Sequence, residues 1–156
     1  MPSGKKHALA TCIAAGMLSP FIYLSGQPAA HTLAFTAGCM AGLVISPDLD
    51  VRHRDTHAET IMRRSLGCLG GGIWNLLWLP YAYLIPHHRH PLSHWPILGT
   101  AVRLLYLFAL PLIVYWLVAP RLGWTPADLF WQPVLWWAVG GLALVDALHW
   151  LMDRLL

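Results

Sequence analysis

The segment PHHRHPLSHW, residues 86–95, gathers four histidines and one arginine into ten positions of an otherwise apolar chain. Histidine is the commonest metal-binding side chain and titrates near neutral pH, so the cluster indicates a metal site, proton transfer or a pH switch. A purification tag also clusters histidines, but tags lie at chain termini and this segment is internal. Pro91 breaks any continuous helix, which places the earlier histidines in a loop and His94 at the start of the next helix.

Two further segments have spacings that suit a metal ion. In the SPDLD turn the proline ends a helix, and Asp48 and Asp50 can point together at one cation or bridge two. Near the C-terminus, Asp146, His149 and Asp153 share one helical face, where an aspartate can bind the metal or orient a neighbouring imidazole. Each pattern also has an ordinary explanation, because Asp is common in turns and a single interfacial histidine is usually solvated.

The composition indicates a membrane protein. Hydrophobic residues occupy 57% of the 156 positions and nine residues are tryptophan, which exceeds what a soluble domain of this length needs. Four segments approach the length that crosses a hydrocarbon core of about 30 Å. We therefore expect a single all-α membrane domain over residues 1–156, a helical bundle with four transmembrane spans at 7–24, 32–46, 95–119 and 133–152.

A fifth apolar run, residues 66–86, is harder to place. Three consecutive glycines at 70–72, Asn75 and Pro80 interrupt it and weaken a free-standing helix. Its tryptophans and tyrosines are typical of the headgroup region. We expect this segment to be re-entrant or to lie along the interface.

Basic residues predict the orientation of the bundle. Two lysines precede the first span and four arginines lie between residues 52 and 64, whereas the loop at 25–31 has none. The positive-inside rule then places both termini and the 47–65 loop in the cytoplasm, which requires an even number of crossings. A cleavable signal peptide within the first 30 residues is an alternative, disfavoured because it would remove His7.

With this topology, histidines and aspartates from four distant stretches meet at the cytoplasmic face, and such convergence predicts a metal site. Asp146 and Arg103 lie about two turns or more inside their spans, where a charge is costly unless it is paired or functional. His31 lies at the opposite face and is assigned a structural role. Roles remain open for five residues: His53, His57, His87, His90 and Asp146.

Four motifs lie in order along nearly the whole chain: MPSGKKH at 1–7, LVISPDLD at 43–50, PHHRHPLSH at 86–94 running into LGTAVRLLY, and LHWLMD at 148–153. They resemble a bacterial membrane protein family described as metal-binding, itself similar to a broader group of inner-membrane metal-dependent hydrolases. The resemblance implies Arg89 and Ser93 as accompanying residues. His90 departs from the family pattern, as an extra ligand or a shift in register. The resemblance implies seven metal ligands: His7, Asp48, Asp50, His88, His94, His149 and Asp153.

Chemistry restricts what such a site can hold. Seven nitrogen and oxygen ligands exceed the needs of one four-coordinate zinc, so we expect one or two divalent transition-metal ions, with zinc or manganese favoured. The predicted catalytic residues are Arg89 and, if its side chain reaches the site, Arg103, which could bind a phosphate or carboxylate, and Ser93, which would orient a neighbour. The resemblance implies a metal-dependent hydrolase in the bacterial inner membrane, and with this ligand set we expect it to act at the cytoplasmic interface on a phosphoester or lipid-linked substrate.

Other classes of protein fit the sequence less well or equally well. A non-catalytic protein with a structural or sensory metal is the main alternative, since a closed coordination sphere favours structure and an open position favours hydrolysis. A transporter is disfavoured because few ionisable residues lie midway in the spans. The three dispersed cysteines contain no CxxC pair, which argues against a thiolate zinc site. The net charge of +3 and the absence of a basic patch argue against nucleic acid.

Overall fold

The computed structural model describes residues 4–51, 56–123, 125 and 129–155. All secondary structure in these residues is helical and no strand occurs among them, which confirms the predicted all-α class. Within this described part of the chain, two short 3-10 helices, Pro47–Asp50 and Ala119–Leu122, accompany six α-helices. The α-helices are α1 (Gly4–Leu24), α2 (Ala29–Ala41), α3 (His57–Leu84), α4 (Pro91–His94), α5 (Pro96–Val118) and α6 (Pro133–Leu155).

Three helical segments are long and apolar enough to cross a membrane: Gly4–Leu24, Pro96–Leu122 and Pro133–Leu155. Their outward faces carry large apolar side chains, such as Leu24, which is 82% exposed, and Ile97, which is 80% exposed. Contiguous exposed apolar surface of this kind is costly in water and favourable against lipid. These helices correspond to the first, third and fourth predicted spans.

The second predicted span, residues 32–46, forms a shorter helix than expected. α2 has 13 residues, or about 20 Å at 1.5 Å per residue, which is less than the hydrocarbon core of about 30 Å. The helix ends at Gly42, where a Cβ atom would lie 2.6 Å from Val145 Cγ2. Close packing against α6 thus coincides with the end of the helix, and the following apolar residues lead into the 3-10 helix at Pro47.

α3 is a helical hairpin rather than one straight rod. Gly67, with φ 72° and ψ −175°, interrupts its 28 residues, and glycine tolerates this positive φ without a Cβ clash. The helical parts before and after Gly67 lie side by side. The Asn75 amide nitrogen in the second part donates to Glu59 Oε1 in the first part at 3.2 Å. The run at 66–86 is therefore more helical than predicted, and it turns at Gly67 rather than at the glycines that follow.

One end of the bundle brings the termini of several elements together. The first turn of α1 meets the last turn of α6, where His7 Nε2 lies 3.3 Å from Asp153 Oδ1. α2 packs closely against α6, because Gly141 lies against the backbone of Phe35 with no room for a Cβ atom. The 3-10 helix at Pro47–Asp50 and the turn before α5 complete the same end. This convergence is the framework of the site.

Candidate metal centre

Prolines set the local geometry of two site segments. Pro47 occupies the first position of a 3-10 helix and Pro91 that of α4, positions that tolerate a missing backbone N–H. The first proline starts the turn that carries Asp48 and Asp50. The second starts the short helix that ends in His94. These short helices place Asp48 and His94 close to each other and Asp48 close to His149 of α6.

The central group of the site contains Asp48, His94 and His149. Asp48 Oδ1 lies 3.7 Å from His94 Nε2 and 3.5 Å from His149 Nε2. Both imidazole nitrogens are buried and neither has a hydrogen-bond partner among the described residues. Ligands of a tetrahedral ion with bonds of about 2.1 Å lie roughly 3.4 Å from one another. The spacing and the unpartnered nitrogens therefore fit a shared transition-metal ion.

A second group joins the two ends of the chain. Asp153 Oδ1 lies 3.3 Å from His7 Nε2, and Asp153 Oδ2 lies 3.6 Å from His149 Nε2. The rings of His7 and His149 stack with centroids 3.9 Å apart. The possible ligand atoms of His7, His149 and Asp153 lie within 4.8 Å of one another, close enough to share a metal ion. This group, however, uses the same His149 nitrogen as the central group.

The third group, Asp50 with His88 and His94, is differently built. His88 Nδ1 lies 2.7 Å from Asp50 Oδ1, which is hydrogen-bond distance. Asp50 Oδ2 accepts from Ser93 Oγ at 2.7 Å and from the Arg89 backbone N–H at 3.2 Å. Both carboxylate oxygens of Asp50 thus already lie at hydrogen-bond distance from protein groups, in contrast to Asp48. All seven predicted ligands lie in these three groups, and their role as ligands stays a prediction.

The surroundings of Asp48, Asp50 and His94 shift the pKa values of all three side chains and keep both aspartates ionised. Burial would raise the pKa of Asp48, but the nearby imidazoles of His149 and His94 outweigh it and hold that pKa well below its usual range. Burial likewise opposes ionisation of Asp50, yet contacts with His88, His94 and Ser93 lower its pKa. Burial would lower the pKa of His94, whereas the nearby carboxylates of Asp48 and Asp50 raise it overall.

Arg89 lies beside the site and faces Asp153. Its Nη2 atom is 3.1 Å from Asp153 Oδ1, and its side chain is 35% exposed. Its Nε atom is buried without a hydrogen-bond partner among the described residues. The residue has φ 66°, a left-handed conformation that is uncommon outside glycine. Arg89 therefore retains donor capacity at the rim of the site.

Arg103 does not reach the rim, contrary to the predicted substrate contact. It is fully buried, and its guanidinium donates to Asp146 and, at 2.6 Å, to the Ser93 carbonyl. Thr100 also donates to Asp146. Thr100 was not among the predicted site residues, although its position one turn before Arg103 places both on one helical face. Arg103 and Asp146 form a closed ion pair between α5 and α6.

The remaining histidines divide between the rim and the far end. His90 accepts a hydrogen bond from the Leu92 backbone N–H at 3.2 Å and stacks edge-on with His87. It belongs to none of the three groups among the described residues. His31 lies in the first turn of α2, 3.3 Å from Gln27 and against Trp137. His53 lies outside the described residues.

A small cavity opens beside the central group. Its volume is about 30 Å³, and its lining includes His7, Asp48, His149, Asp146 and His57. A cavity of this size has room for one water molecule, and the imidazoles and carboxylates in its lining offer that water hydrogen-bond partners. The cavity therefore provides space for a water molecule between the central group and α1.

Fold and site together define an all-helical protein with three helices able to span a membrane and a cluster of histidines and aspartates suited to a metal ion. A family model described as "Uncharacterized metal-binding protein (DUF2227)" matches residues 2–155. The chain belongs to this metal-binding family. Comparisons with curated proteins and with solved structures yield no match.

Proposed function

We propose that this is an integral membrane protein that binds one transition-metal ion through Asp48, His94 and His149 at one end of its helical bundle. The observation that supports this most directly is the pair of buried imidazole Nε2 atoms that face Asp48 Oδ1 without hydrogen-bond partners. Leaving buried polar atoms without a hydrogen-bond partner is costly, so two such nitrogens beside one carboxylate indicate that a metal ion binds between them. Two histidines and one carboxylate form the ligand set of several catalytic zinc sites.

A single ion fits the contacts better than two. The central group and the group at Asp153 both use His149 Nε2, and one imidazole lone pair binds one ion. An ion at the third group would have to displace the hydrogen bonds of Asp50 with His88 and Ser93. Zinc or manganese suits the mixed nitrogen and oxygen ligands.

Hydrolysis is the activity that we propose for this site. When bound, a metal of this kind polarises a substrate oxygen and lowers the pKa of water toward about 7. The protein supplies Asp48 as an ionised ligand and the adjacent cavity as a place for water. Arg89, at the rim, would hold the oxygens of a phosphoester through its guanidinium. Trp95, which is 53% exposed beside the site, suits an amphipathic or lipid-linked substrate.

A structural or sensory metal is the second candidate, and one contact favours it. Asp153 Oδ2 lies 3.6 Å from His149 Nε2, so this carboxylate could complete a fourth position. A closed four-coordinate site would stabilise the bundle and leave no place for water. The two functions therefore differ in whether the ion keeps an open position.

Metal analysis of the detergent-purified protein is the first test. We expect one zinc or manganese ion per chain, lost in Asp48→Ala and His94→Ala and retained in the control His31→Ala. Equal loss from His31→Ala would contradict the site assignment.

A hydrolysis screen of the metal-loaded protein separates the two functions. We expect turnover of an amphipathic phosphoester, lost together with metal in Asp48→Ala. Arg89→Ala should keep the metal and lose turnover, because a guanidinium binds substrate oxygens and not the cation. No turnover across phosphoesters, esters and amides, with metal lost from Arg89→Ala, would favour the structural role.

We also propose that the metal end faces the cytoplasm, as the lysines and arginines near it indicate. Cysteines introduced at Lys5 and Arg154, in a variant without native cysteines, should be shielded from an impermeant thiol reagent in intact cells. A cysteine at the exposed Leu122 should react. Labelling at Lys5 but not at Leu122 would reverse the orientation.

A further inference from the structure

Asp50 and Ser93 form a hydrogen-bonded chain that ends on the back of the His94 ring. Ser93 Oγ lies 2.7 Å from Asp50 Oδ2 and 2.9 Å from His94 Nδ1. Ser93 is completely buried, and Asp50 is 2% exposed. The opposite ring nitrogen, His94 Nε2, is the atom that faces Asp48. The chain thus touches the imidazole on the side away from the central group.

The direction of each hydrogen bond follows from the proton count. Asp50 receives the Arg89 backbone N–H and faces His88 Nδ1, so its carboxylate is surrounded by donors and acts as an acceptor. The single hydroxyl proton of Ser93 goes to Asp50 Oδ2, because a bond to a carboxylate is stronger than one to the nearby His90 carbonyl.

Ser93 Oγ must then accept from His94 Nδ1. In the reverse arrangement Ser93 would donate to His94, and two oxygen acceptors would face each other at 2.7 Å with no proton between them. The neutral imidazole therefore carries its proton on Nδ1. Its Nε2 atom keeps a lone pair toward Asp48, which is the form that a metal needs.

We propose that Asp50 and Ser93 are positioning residues that fix the Nδ1–H tautomer of His94, and that Asp50 is not itself a metal ligand. This inference rests on the proposed function, in which His94 Nε2 binds the ion. It revises the ligand set that the family resemblance implies, since the two aspartates of the turn have different roles. Asp48 contacts the ion, while Asp50 acts through the serine on the histidine that binds it.

The tautomer is measured directly on metal-free protein. In protein labelled with ¹⁵N-histidine, at a pH that keeps the ring neutral, the His94 resonance is assigned by its loss in His94→Gln. We expect a protonated Nδ1 in the wild type and a mixture of tautomers in Ser93→Ala. A His94 ring protonated on Nε2, or one unchanged in Ser93→Ala, would overturn the proposal.

Metal affinity gives a second readout. Loss of an orienting partner typically weakens binding about 10–100-fold, and we expect this for both Asp50→Asn and Ser93→Ala, with X-ray absorption showing an unchanged ligand number on zinc. The double variant should lose no more than either single variant, because both act through one chain. Ser19→Ala, which removes a hydroxyl bonded to Thr36, is the control and should bind like wild type.

Additive losses, or one ligand fewer in Asp50→Asn, would make Asp50 a ligand and contradict the proposal. If the wild type bound no metal, the proposed function would fail, while the tautomer measurement would still decide the role of Ser93.

Discussion

Two charged groups lie one turn apart on α6 and differ in how completely they are satisfied. The group around Asp146 is closed, since Arg103 and Thr100 donate to its carboxylate and both partners are buried. The group around His149 is open, because its Nε2 atom is buried beside Asp48 and Asp153 without a hydrogen bond. In an apolar protein, burial of charge alone does not mark a binding site. What distinguishes the open group is that the unpartnered Nε2 atoms of His94 and His149 both face the Asp48 carboxylate.

The closed group should give the largest effect on stability. Arg103→Met leaves Asp146 buried without its partner, and breaking a buried ion pair costs about 3–5 kcal/mol of the free energy of unfolding. Thermal unfolding in detergent measures this loss. Arg103→Met with Asp146→Leu should recover most of it, because no buried charge then remains. A mild effect of the single variant would show that water or lipid reaches Asp146.

The open group should show its contribution only when metal is added. Zinc at 100 times its dissociation constant should stabilise the wild type by about 2.7 kcal/mol. His149→Ala should abolish this stabilisation, whereas His31→Ala, at the far end, should keep it. Chelator-treated samples provide the baseline for each variant. Equal stabilisation in His149→Ala would place the ion elsewhere.

The pH dependence of metal binding tests the open group by a smaller effect. His94 has a raised pKa, so its protonated form stabilises the metal-free fold at pH below about 6.5 and this contribution is lost as pH rises through the raised value. Metal must displace that proton, so apparent affinity should fall about tenfold per pH unit below the pKa of His94. Asp48, with its lowered pKa, adds no loss until well below pH 3.8. Calorimetric titration between pH 5 and 8 tests the slope, and a flat profile would contradict His94 as a ligand.

The smallest effect is expected from a histidine that is already partnered. His90→Ala removes the acceptor of the Leu92 N–H at the start of α4, and loss of such a cap at an exposed position costs about 0.5 kcal/mol. Metal content should not change. A lower metal content in His90→Ala would make this residue the extra ligand that the sequence also allowed.

The sequence was most informative where residue type and helix ends coincide. His7, Asp48, His94 and His149 were predicted to meet because each lies at the end of an apolar segment, and topology brings such ends together. The spacing of His149 and Asp153 follows from helical periodicity alone. The all-helical class follows from the length and apolarity of the segments.

Contacts between helices could not be predicted in the same way. The pairing of Arg103 with Asp146 depends on the rotation and register of α5 against α6, which a single sequence does not specify. The turn of α3 depends on the conformation of Gly67, which the sequence did not single out, while the glycines at 70–72, expected to interrupt the segment, lie within the helix. The different surroundings of Asp48 and Asp50 depend on where Ser93 Oγ lies, a detail of packing.

The contact of His7 with Asp153 has a consequence for biogenesis. Chains are made from the N-terminus, so the first turn of α1 emerges long before the last turn of α6 exists to meet it. The proposed metal centre needs His149 of α6, so it would form only after the final helix has packed. An ion bound by Asp48 and His149 would close the chain between these two residues into one long loop, and closing a long loop restricts the unfolded chain most in theory. Metal capture would then report completed insertion, and a chain truncated before Pro133 should be isolated without metal.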